Sequence, residues 1–261
     1  MPNYELNQKV ALITGSSSGI GRGCAEALAA EGAYVAITGR DETALLKVAD
    51  KCIELGVPKD KVLVLVGDLS KEEDCERVVA DTVKHFGRIN ILINSAGILV
   101  SGSIETVSLE QYDRQMNINT RSLFYMMKLA LPHLLETKGN IVNISSITGL
   151  RAFPNLVAYN VSKAAVDQMT RSVALEVAGR GVRVNAVNPG VIITEVHKRS
   201  GMSDEQYEEF LLRSKETHAL GRAGEVSEVA DVVCFLASER ASFMTAITLP
   251  IDGGRHAMCP R

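Results

Sequence analysis

Tyr159 and Lys163 lie four positions apart in a stretch with helical periodicity, so their side chains are expected on one helix face. A free phenol has a pKa near 10 and is a poor acid or base at neutral pH. A cation about 4 Å away would stabilise the phenolate by up to about 4 kcal/mol, which lowers the pKa by at most roughly three units. The pair could therefore exchange a proton with a substrate carbonyl or alcohol. The alternative interpretation is an exposed tyrosine stacked on a lysine.

A hydroxyl group that could polarise the same carbonyl oxygen precedes this helix by a short loop. Ser146 follows the predicted strand at residues 140–145, where a hydroxyl donor could stabilise the negative charge that develops on the oxygen. Ser145 is the rival candidate for this position. Either serine could instead be a residue that only shapes the turn at the end of a strand.

A glycine-rich turn, Thr-Gly-Ser-Ser-Ser-Gly-Ile-Gly at residues 14–21, follows the first predicted strand and opens a helix. Small residues there let a diphosphate approach the backbone at the positive end of the helix dipole. The spacing is GxxxGxG, and Gly-Ser turns are common in ordinary loops. Its position between a strand and a helix favours a dinucleotide site over a structural loop.

The end of the second predicted strand reads Thr-Gly-Arg-Asp at residues 38–41. A carboxylate at this place would accept from the ribose 2′-hydroxyl of NAD, whereas an arginine would bind the 2′-phosphate of NADP. Gly39 stands where the acid is expected and Arg40 follows it, which favours NADP(H) over NAD(H). Asp41 leaves the alternative open, since it could contact the ribose or merely cap the next helix.

Short apolar runs rich in β-branched residues alternate along the chain with longer amphipathic stretches. The predicted strands are residues 9–14, 34–38, 61–66, 89–93, 140–145, 182–188 and 247–251. The predicted helices are residues 21–31, 41–55, 71–86, 109–135, 157–178 and 225–237. This alternation predicts an α/β protein with a seven-stranded parallel sheet and helices on both faces.

Nothing in the sequence divides this series, so residues 1–261 are predicted to form a single domain. The exception to the regular alternation is the polar segment at about residues 192–221, which contains one helical patch at residues 204–212. Long excursions of this kind are usually binding loops. We expect this segment to act as a substrate-binding lid.

The composition excludes several classes of protein. The formal net charge of the 261-residue chain is −3, and its lysines and arginines form no basic block, so neither nucleic acid nor an anionic membrane is an expected partner. The five cysteines (Cys24, Cys52, Cys75, Cys234 and Cys259) have no zinc-ligand spacing and are expected to be free thiols, with no metal site. Because no targeting sequence or membrane-length apolar run is found, we predict a cytoplasmic protein.

Further motifs occur in a fixed order along the chain. Besides the turn at residues 14–21 and the Tyr159-xxx-Lys163 pair, they are Gly-Asp-Leu at 67–69, Asn-Ser-Ala-Gly at 94–97, Asn119, Ser146, and Asn-Pro-Gly at 188–190 followed by Thr194. In this order and spacing the chain resembles the short-chain dehydrogenase/reductase family over essentially its whole length. The resemblance implies a Rossmann-type, doubly wound fold and a nicotinamide-dependent oxidoreductase.

The resemblance implies a role for each catalytic residue. Tyr159 would be the general acid in reduction and the base in oxidation. Lys163 would lower the pKa of Tyr159 and bind the nicotinamide ribose. Ser146, which has the family's spacing before the tyrosine, would hold the substrate oxygen, and Asn119 would hold a water that links Lys163 to solvent.

The resemblance also implies a set of cofactor contacts. Asp68 and Leu69 would hold the adenine, Asn94 and Gly97 would line the ribose side, and Ile192 and Thr194 would meet the carboxamide. The other expected cofactor residues are Gly15, Ser17, Gly19, Ile20 and Gly21 around the diphosphate, together with Arg40, Tyr159, Lys163, Pro189 and Gly190. Ser95 departs from the family, which usually has a second asparagine there.

Taken together, the residues and the resemblance predict hydride transfer between NADP(H) and a carbonyl or secondary-alcohol substrate. Mainly apolar residues are expected near the active centre, which favours a lipophilic ketone such as a 3-oxoacyl or steroid-like compound. The alternatives are an NAD-linked alcohol dehydrogenase and a non-catalytic cofactor-binding protein of the same fold. The resemblance further implies a homotetramer, with contacts near residues 220–254.

Overall fold

Seven strands form one sheet in the computed structural model, which describes residues 4–258. They are β1 Val10–Thr14, β2 Tyr34–Gly39, β3 Val62–Val66, β4 Ile91–Asn94, β5 Asn140–Ile144, β6 Arg183–Pro189 and β7 Thr248–Ile251. Every pairing is parallel and the order is β3-β2-β1-β4-β5-β6-β7. The predicted seven-stranded parallel α/β fold is therefore confirmed.

Helices connect the strands and cover both faces of the sheet. They are α1 Gly19–Ala30, α2 Glu42–Glu54, α3 Glu72–Phe86, α4 Leu109–Met116, α5 Ser122–Thr137, α6 Val157–Val177, α7 Val196–Arg199, α8 Asp204–Leu212, α9 Ser214–Thr217 and α10 Val226–Ala237. Successive residues of a strand point to opposite faces. Ile13 of β1 accordingly packs in the core under α1, α2 and α10, whereas Leu12 packs under α3, α5 and α6.

The strand order reverses beside β1, which pairs with β2 on one side and with β4 on the other. In open parallel sheets, ligands bind outside the carboxyl ends of the strands at this point. Thr14, at the end of β1, joins the two sides of the crevice because its Oγ1 accepts hydrogen bonds from the backbone N–H groups of Ser95 and Ala96, both at 3.0 Å. The loops that carry the sequence motifs consequently meet at the carboxyl ends of the strands.

The helix predicted at residues 109–135 is interrupted in its middle. A π-helical turn, Asn117–Arg121, separates α4 from α5. Such turns are frequent at functional sites because the wider turn re-aims the side chains around it. Here it contains the buried Asn119.

The segment predicted as a lid contains three short helices, α7, α8 and α9. Ser203 and Gln206 form a capping box at the start of α8. The Tyr207 hydroxyl donates to the Thr194 carbonyl at 2.9 Å and accepts from the Thr194 N–H at 3.1 Å. The helical patch at residues 204–212 is confirmed, and the function of the segment as a lid stays a prediction.

Four cysteines, Cys24, Cys52, Cys75 and Cys234, are free and buried, and Cys259 lies outside the described residues. Burial raises the pKa of Cys24 to about 12, so this thiol is an unreactive part of the core. No helix within residues 4–258 combines the length and the apolar character that crossing a membrane requires.

Candidate active site

A cleft of about 590 Å³ opens at the carboxyl edge of the sheet. Most of the residues predicted from the sequence line it: Gly15, Ser17, Gly19, Ile20, Gly21, Arg40, Asp68, Leu69, Gly97, Ser146, Tyr159, Lys163, Pro189, Gly190, Ile192 and Thr194. Asn94 and Asn119 are buried behind its wall. Within residues 4–258, no group of three His, Cys, Asp or Glu side chains could hold a metal ion.

Ser146 and Tyr159 meet at one end of this cleft. The Ser146 hydroxyl acts on the Tyr159 phenol and lowers its pKa, and Ser146 Oγ accepts from the backbone N–H of Thr148 at 3.2 Å. Ser145 is committed elsewhere, because its Oγ donates to the Lys163 carbonyl at 3.2 Å. Ser146 is thus the serine whose hydroxyl reaches the tyrosine.

Lys163 lies one helical turn after Tyr159 on α6, and its side chain is buried. Its Nζ is 5.7 Å from the centroid of the Tyr159 ring and donates a hydrogen bond to the Ile144 carbonyl at 2.8 Å. The pair is therefore not the exposed one of the alternative interpretation, although the Lys163 ammonium does lie over the Tyr159 ring. An ammonium group has three N–H donors, so further donors are left for a ligand in the cleft.

Burial governs the protonation of this pair. It raises the pKa of Tyr159 to about 12, against the opposing hydrogen bond from Ser146. Burial also lowers the pKa of Lys163 to about 8, while the nearby carboxylate of Asp167 raises it. The net pKa of Tyr159 is thus raised where the spacing predicted a lowering, because the loss of water around the phenol outweighs the interactions that favour the phenolate. Tyr159 is consequently protonated at neutral pH and ready to donate.

Asp167, a further turn along α6, is a buried carboxylate that the sequence analysis did not single out. Its two carboxylate oxygens accept from Asn188 Nδ2 at 2.9 and 3.1 Å. Asn188 Nδ2 also donates to the Ser146 carbonyl at 2.8 Å. Asp167 thus holds the Asn188 amide that links β6 to Ser146. Its spacing of four from Lys163 was a signal that could have revealed it.

Asn119 is buried and fixes the loop that follows β4. Its Oδ1 accepts from the Ile98 N–H at 2.8 Å, and its Nδ2 donates to the Ile98 carbonyl at 2.9 Å and to Ser162 Oγ at 3.1 Å. Both N–H groups of the amide are therefore used. A relay role for Asn119 stays a prediction, and a water would have to donate to one of its carbonyl oxygens, backbone or side-chain, because both side-chain N–H groups are used.

Asn94 lies at the end of β4, and its side chain points into the sheet-helix interface. Its Nδ2 donates to Asn143 Oδ1 at 2.9 Å, and Asn143 Nδ2 donates to Thr170 Oγ1 at 2.9 Å. This chain links β4, β5 and α6. The family resemblance implied that Asn94 lines the ribose side of the cleft. Its side chain instead lies beneath the cleft and supports it.

The glycine-rich turn holds its backbone close to neighbouring strands. A Cβ on Gly15 would lie 2.8 Å from the Ala96 backbone, and a Cβ on Gly21 would lie 2.4 Å from the Gly15 carbonyl oxygen. Ser18, the N-cap of α1, makes no side-chain capping bond, so the first N–H groups of the helix face the cleft uncapped. Such a helix end binds an anion, and the turn therefore fits a diphosphate.

The far end of the cleft contains the residues that would select the cofactor. Arg40 is exposed and lines the cleft. Asp41 accepts from the Ala44 N–H at 2.9 Å and caps α2, which matches the capping interpretation of this residue. Gly39 packs against Ser17, since a Cβ there would lie 3.2 Å from Ser17 Oγ. Arg40 is thus the charged group available beside the predicted ribose position.

Comparisons with known proteins agree with this architecture. Residues 15–256 match a family model described as enoyl-(acyl carrier protein) reductase. The chain is 37% identical over 252 residues to meso-2,3-butanediol dehydrogenase of Serratia marcescens, covering 97% of this chain and 96% of that protein. It is 36% identical to glucose 1-dehydrogenase of Gluconobacter oxydans, covering 94% and 91% of the two chains.

A solved structure extends the likeness to three dimensions. A short-chain dehydrogenase/reductase of unknown function from Caenorhabditis elegans, crystallised with cofactor, is 35% identical. The two folds superpose with a TM-score of 0.92 over 97% of each chain. Since the likeness spans nearly the whole sequence and the whole sheet, this chain belongs to the short-chain dehydrogenase/reductase family of nicotinamide-dependent oxidoreductases.

Proposed function

We propose that this protein transfers a hydride between NADP(H) and a carbonyl or secondary-alcohol substrate, with Tyr159 as the general acid and base. The observation that carries the proposal is the meeting of Ser146, Tyr159 and Lys163 at one end of the cleft. A protonated phenol beside a second hydroxyl is the arrangement needed to bind and protonate a carbonyl oxygen as it gains charge.

Each residue has a distinct part in the reduction. The bound dihydronicotinamide supplies the hydride. Ser146 and Tyr159 donate hydrogen bonds to the substrate oxygen, and Tyr159 transfers its proton to that oxygen. Lys163 stabilises the resulting phenolate through its charge, which it carries below a pKa of about 8. In the oxidative direction the same groups act in reverse.

The cofactor would lie along the cleft with its diphosphate at the turn of residues 14–21. Gly15, Ser17 and Gly19 to Gly21 would surround the diphosphate, Asp68 and Leu69 would hold the adenine, and Gly97, Gly190, Ile192 and Thr194 would contact the nicotinamide half. Arg40 favours NADP(H), because a guanidinium binds the 2′-phosphate through two hydrogen bonds. The alternative of an NAD-linked enzyme would leave Arg40 without this role.

The substrate end of the cleft has largely apolar walls. Leu99, Val100, Phe153, Leu156, Val196 and Phe210 line it, which supports a substrate with a lipophilic body. The relatives from Serratia and Gluconobacter are named for a diol and a sugar, so a hydroxyl-bearing carbon is the feature common to their substrates. We further propose that the 192–221 segment closes over this end.

We also propose a cytoplasmic homotetramer. Leu220 and Phe243 are exposed by 70% and 104%, and both belong to the region expected to form contacts between subunits. Large apolar side chains exposed to this extent are typical of interaction surfaces when they cluster. Light scattering at micromolar concentration is expected to give four chains, and a monomer would contradict the assignment.

A substrate panel tests the activity. NADPH and NADH consumption is measured against aliphatic, cyclic and 3-oxoacyl ketones, and the reverse reaction against the matching alcohols. Tyr159→Phe should lower kcat by about 10²- to 10⁴-fold while cofactor binding is kept. Tyr34→Phe is the control, because Tyr34 begins β2 at the amino end of the strands, away from the cleft, and its ring stacks on Phe86. Tight cofactor binding without turnover of any compound would instead favour the non-catalytic alternative.

A second experiment decides between the cofactors. Arg40→Ala should raise the KM for NADPH by roughly 10- to 100-fold, the effect of losing a charged hydrogen-bonding group, and leave the KM for NADH nearly unchanged. Arg22→Ala serves as the matched control, because Arg22 is a neighbouring exposed arginine already paired with Glu26. If Arg40→Ala scarcely affects the preferred cofactor, the enzyme is NAD-linked.

A further inference from the structure

Arg255 brings a positive charge to the substrate end of the cleft. It follows β7 in a short 3-10 turn, is half-buried, and lines the cleft together with Tyr159. Its guanidinium carbon lies 4.9 Å from the centroid of the Phe153 ring. The Phe153 carbonyl accepts from Asn160 Nδ2 at 2.9 Å, and Asn160 is the residue after Tyr159. Arg255 is therefore tied to the catalytic end, whereas Arg40 lies at the β2 end of the same cleft.

Asp252, the carboxylate whose charge acts on Arg255, already accepts hydrogen bonds from its own turn. Asp252 Oδ1 accepts from the Gly254 N–H at 3.1 Å, and Asp252 Oδ2 accepts from the His256 N–H at 2.6 Å and lies 2.8 Å from His256 Nδ1. Asp252 thus acts on Arg255 only through its charge at a distance. Among the described residues, the guanidinium of Arg255 makes no hydrogen bond and no ion pair with any side chain. A partly desolvated charge without a partner is costly.

His197 and His218 do not add to the positive charge of Arg255. Burial and the charge of Arg255 together lower the pKa of His197 to about 4, and the same two causes lower the pKa of His218. His197 lines the cleft beside Phe210 and is neutral at pH 7. Arg255 consequently keeps its positive charge at the cleft without a hydrogen bond or ion pair to a described side chain.

We propose that Arg255 binds a carboxylate group, which is a singly charged oxyanion, carried by an otherwise apolar ketone or alcohol substrate. A guanidinium presents two parallel N–H donors that match the two oxygens of a carboxylate. The apolar residues Val100, Leu156 and Phe210 line the same end and would hold the body of the substrate. The inference rests on the proposed function for the reaction itself, but the binding of the anion does not depend on turnover.

The first test measures binding without chemistry. Calorimetry is done on the protein saturated with NADP⁺, or with NAD⁺ if Arg40→Ala shows that cofactor to be preferred. The probes are cyclohexanecarboxylate, its neutral carboxamide and cyclohexyl phosphate. We expect the carboxylate to bind at least about 10-fold more tightly than the carboxamide, as for a charged hydrogen bond. Equal affinity for the carboxamide, or tighter binding of the phosphate ester, would overturn the assignment.

Variants connect this preference to Arg255. Arg255→Gln should weaken carboxylate binding by roughly 10- to 100-fold without changing carboxamide binding. Arg255→Lys keeps the charge but loses the paired donors, so it should retain part of the preference. Arg151→Gln removes an exposed arginine that does not line the cleft, and it should bind like the wild type. Equal losses of carboxylate affinity in Arg255→Gln and Arg151→Gln would contradict the proposal. If Arg255→Gln does not fold, Arg255→Lys provides the test instead.

A kinetic test separates this inference from the proposed function. The wild type should reduce 4-oxocyclohexanecarboxylate with a lower KM than its methyl ester, and Arg255→Gln should raise only the KM for the acid. Reduction of neutral ketones together with Arg255-independent carboxylate binding would overturn the inference and leave the proposed function standing. Carboxylate binding that depends on Arg255, with no turnover of any ketone, would overturn the proposed function alone.

Discussion

The glycine-rich turn between β1 and α1 keeps its shape through close backbone contacts, whereas the floor beneath Tyr159 keeps its shape through buried polar side chains. In the turn, Gly15 and Gly21 leave no room for a Cβ. Beneath Tyr159, Lys163, Asp167 and Asn188 are held by hydrogen bonds in the interior. Substitutions in the two regions should therefore destabilise the protein for different reasons. In the turn the cause is a steric clash, and beneath Tyr159 it is the loss of hydrogen-bond partners for buried polar groups.

Gly21→Ala is expected to have the largest effect on stability. The new Cβ would lie 2.4 Å from the Gly15 carbonyl oxygen, and backbone on both sides limits any relief. We expect the free energy of unfolding to fall by about 3 kcal/mol, with loss of cofactor binding, as measured by urea denaturation and cofactor titration. Gly179→Ala is the control, because a Cβ there meets nothing within 4 Å. Similar losses in both variants would remove the steric explanation.

Asp167→Ala tests the buried polar side chains beneath Tyr159. It removes the carboxylate that accepts from Asn188 Nδ2, which then keeps the Ser146 carbonyl as an acceptor, and so leaves a buried N–H without a partner. We expect a loss of about 2 kcal/mol in the free energy of unfolding, together with a lower kcat because Ser146 is less firmly held. Asp113→Ala, at an exposed position on α4, should change stability by less than about 0.5 kcal/mol.

Asp167→Asn tests the charge of Asp167 through the pH dependence of kcat. Asp167 raises the pKa of Lys163, which burial lowers to about 8. Without this charge the pKa of Lys163 falls further, so the lysine loses its proton at lower pH. The alkaline decline in kcat, expected near pH 8 in the wild type, should move to lower pH. Asp113→Asn should leave the profile in place, and an unchanged profile in Asp167→Asn would separate Asp167 from the proton transfer.

The pKa of Lys163 also predicts a trend in stability. The unfolded chain keeps the lysine protonated up to its usual pKa of 10.5, whereas the folded protein releases this proton at about 8. The unfolded state thus binds more protons between these values, and the contribution of Lys163 to stability rises with pH across that window. Thermal denaturation of the wild type and Lys163→Met between pH 7.5 and 10.5 measures it. A difference between the two proteins that does not vary with pH would contradict the assignment.

Asp41→Ala should have the smallest effect. It removes the cap of α2, at a cost of about 1 kcal/mol in the free energy of unfolding. Neither the NADPH nor the NADH KM should change, since the carboxylate is engaged with the Ala44 N–H. Asp50→Ala, on the exposed side of the same helix, is the stability control. A selective rise in the NADH KM would instead make Asp41 a ribose ligand.

Periodicity was enough to predict the sheet because its five inner strands are largely buried on both faces and its crossovers are helical. It did not predict the π-helical turn within residues 109–135, since that turn changes the backbone without changing the apolar pattern. Spacing along α6 related Tyr159 to Lys163, and the same spacing extends to Asp167. The family resemblance assigned Asn94 to the cleft, but its amide is bound to Asn143 beneath it.

By itself the sequence determined the order of strands and helices and the glycine-rich turn, and with the family resemblance it predicted the catalytic set of Ser146, Tyr159 and Lys163, because these depend on local spacing and residue type. Only the tertiary structure decided how these groups are charged. Burial raises the pKa of Tyr159 and lowers that of Lys163, reversing the effect expected from their spacing alone. Burial and the meeting of distant segments, such as Arg255 above Phe153, arise from packing, which no local pattern encodes.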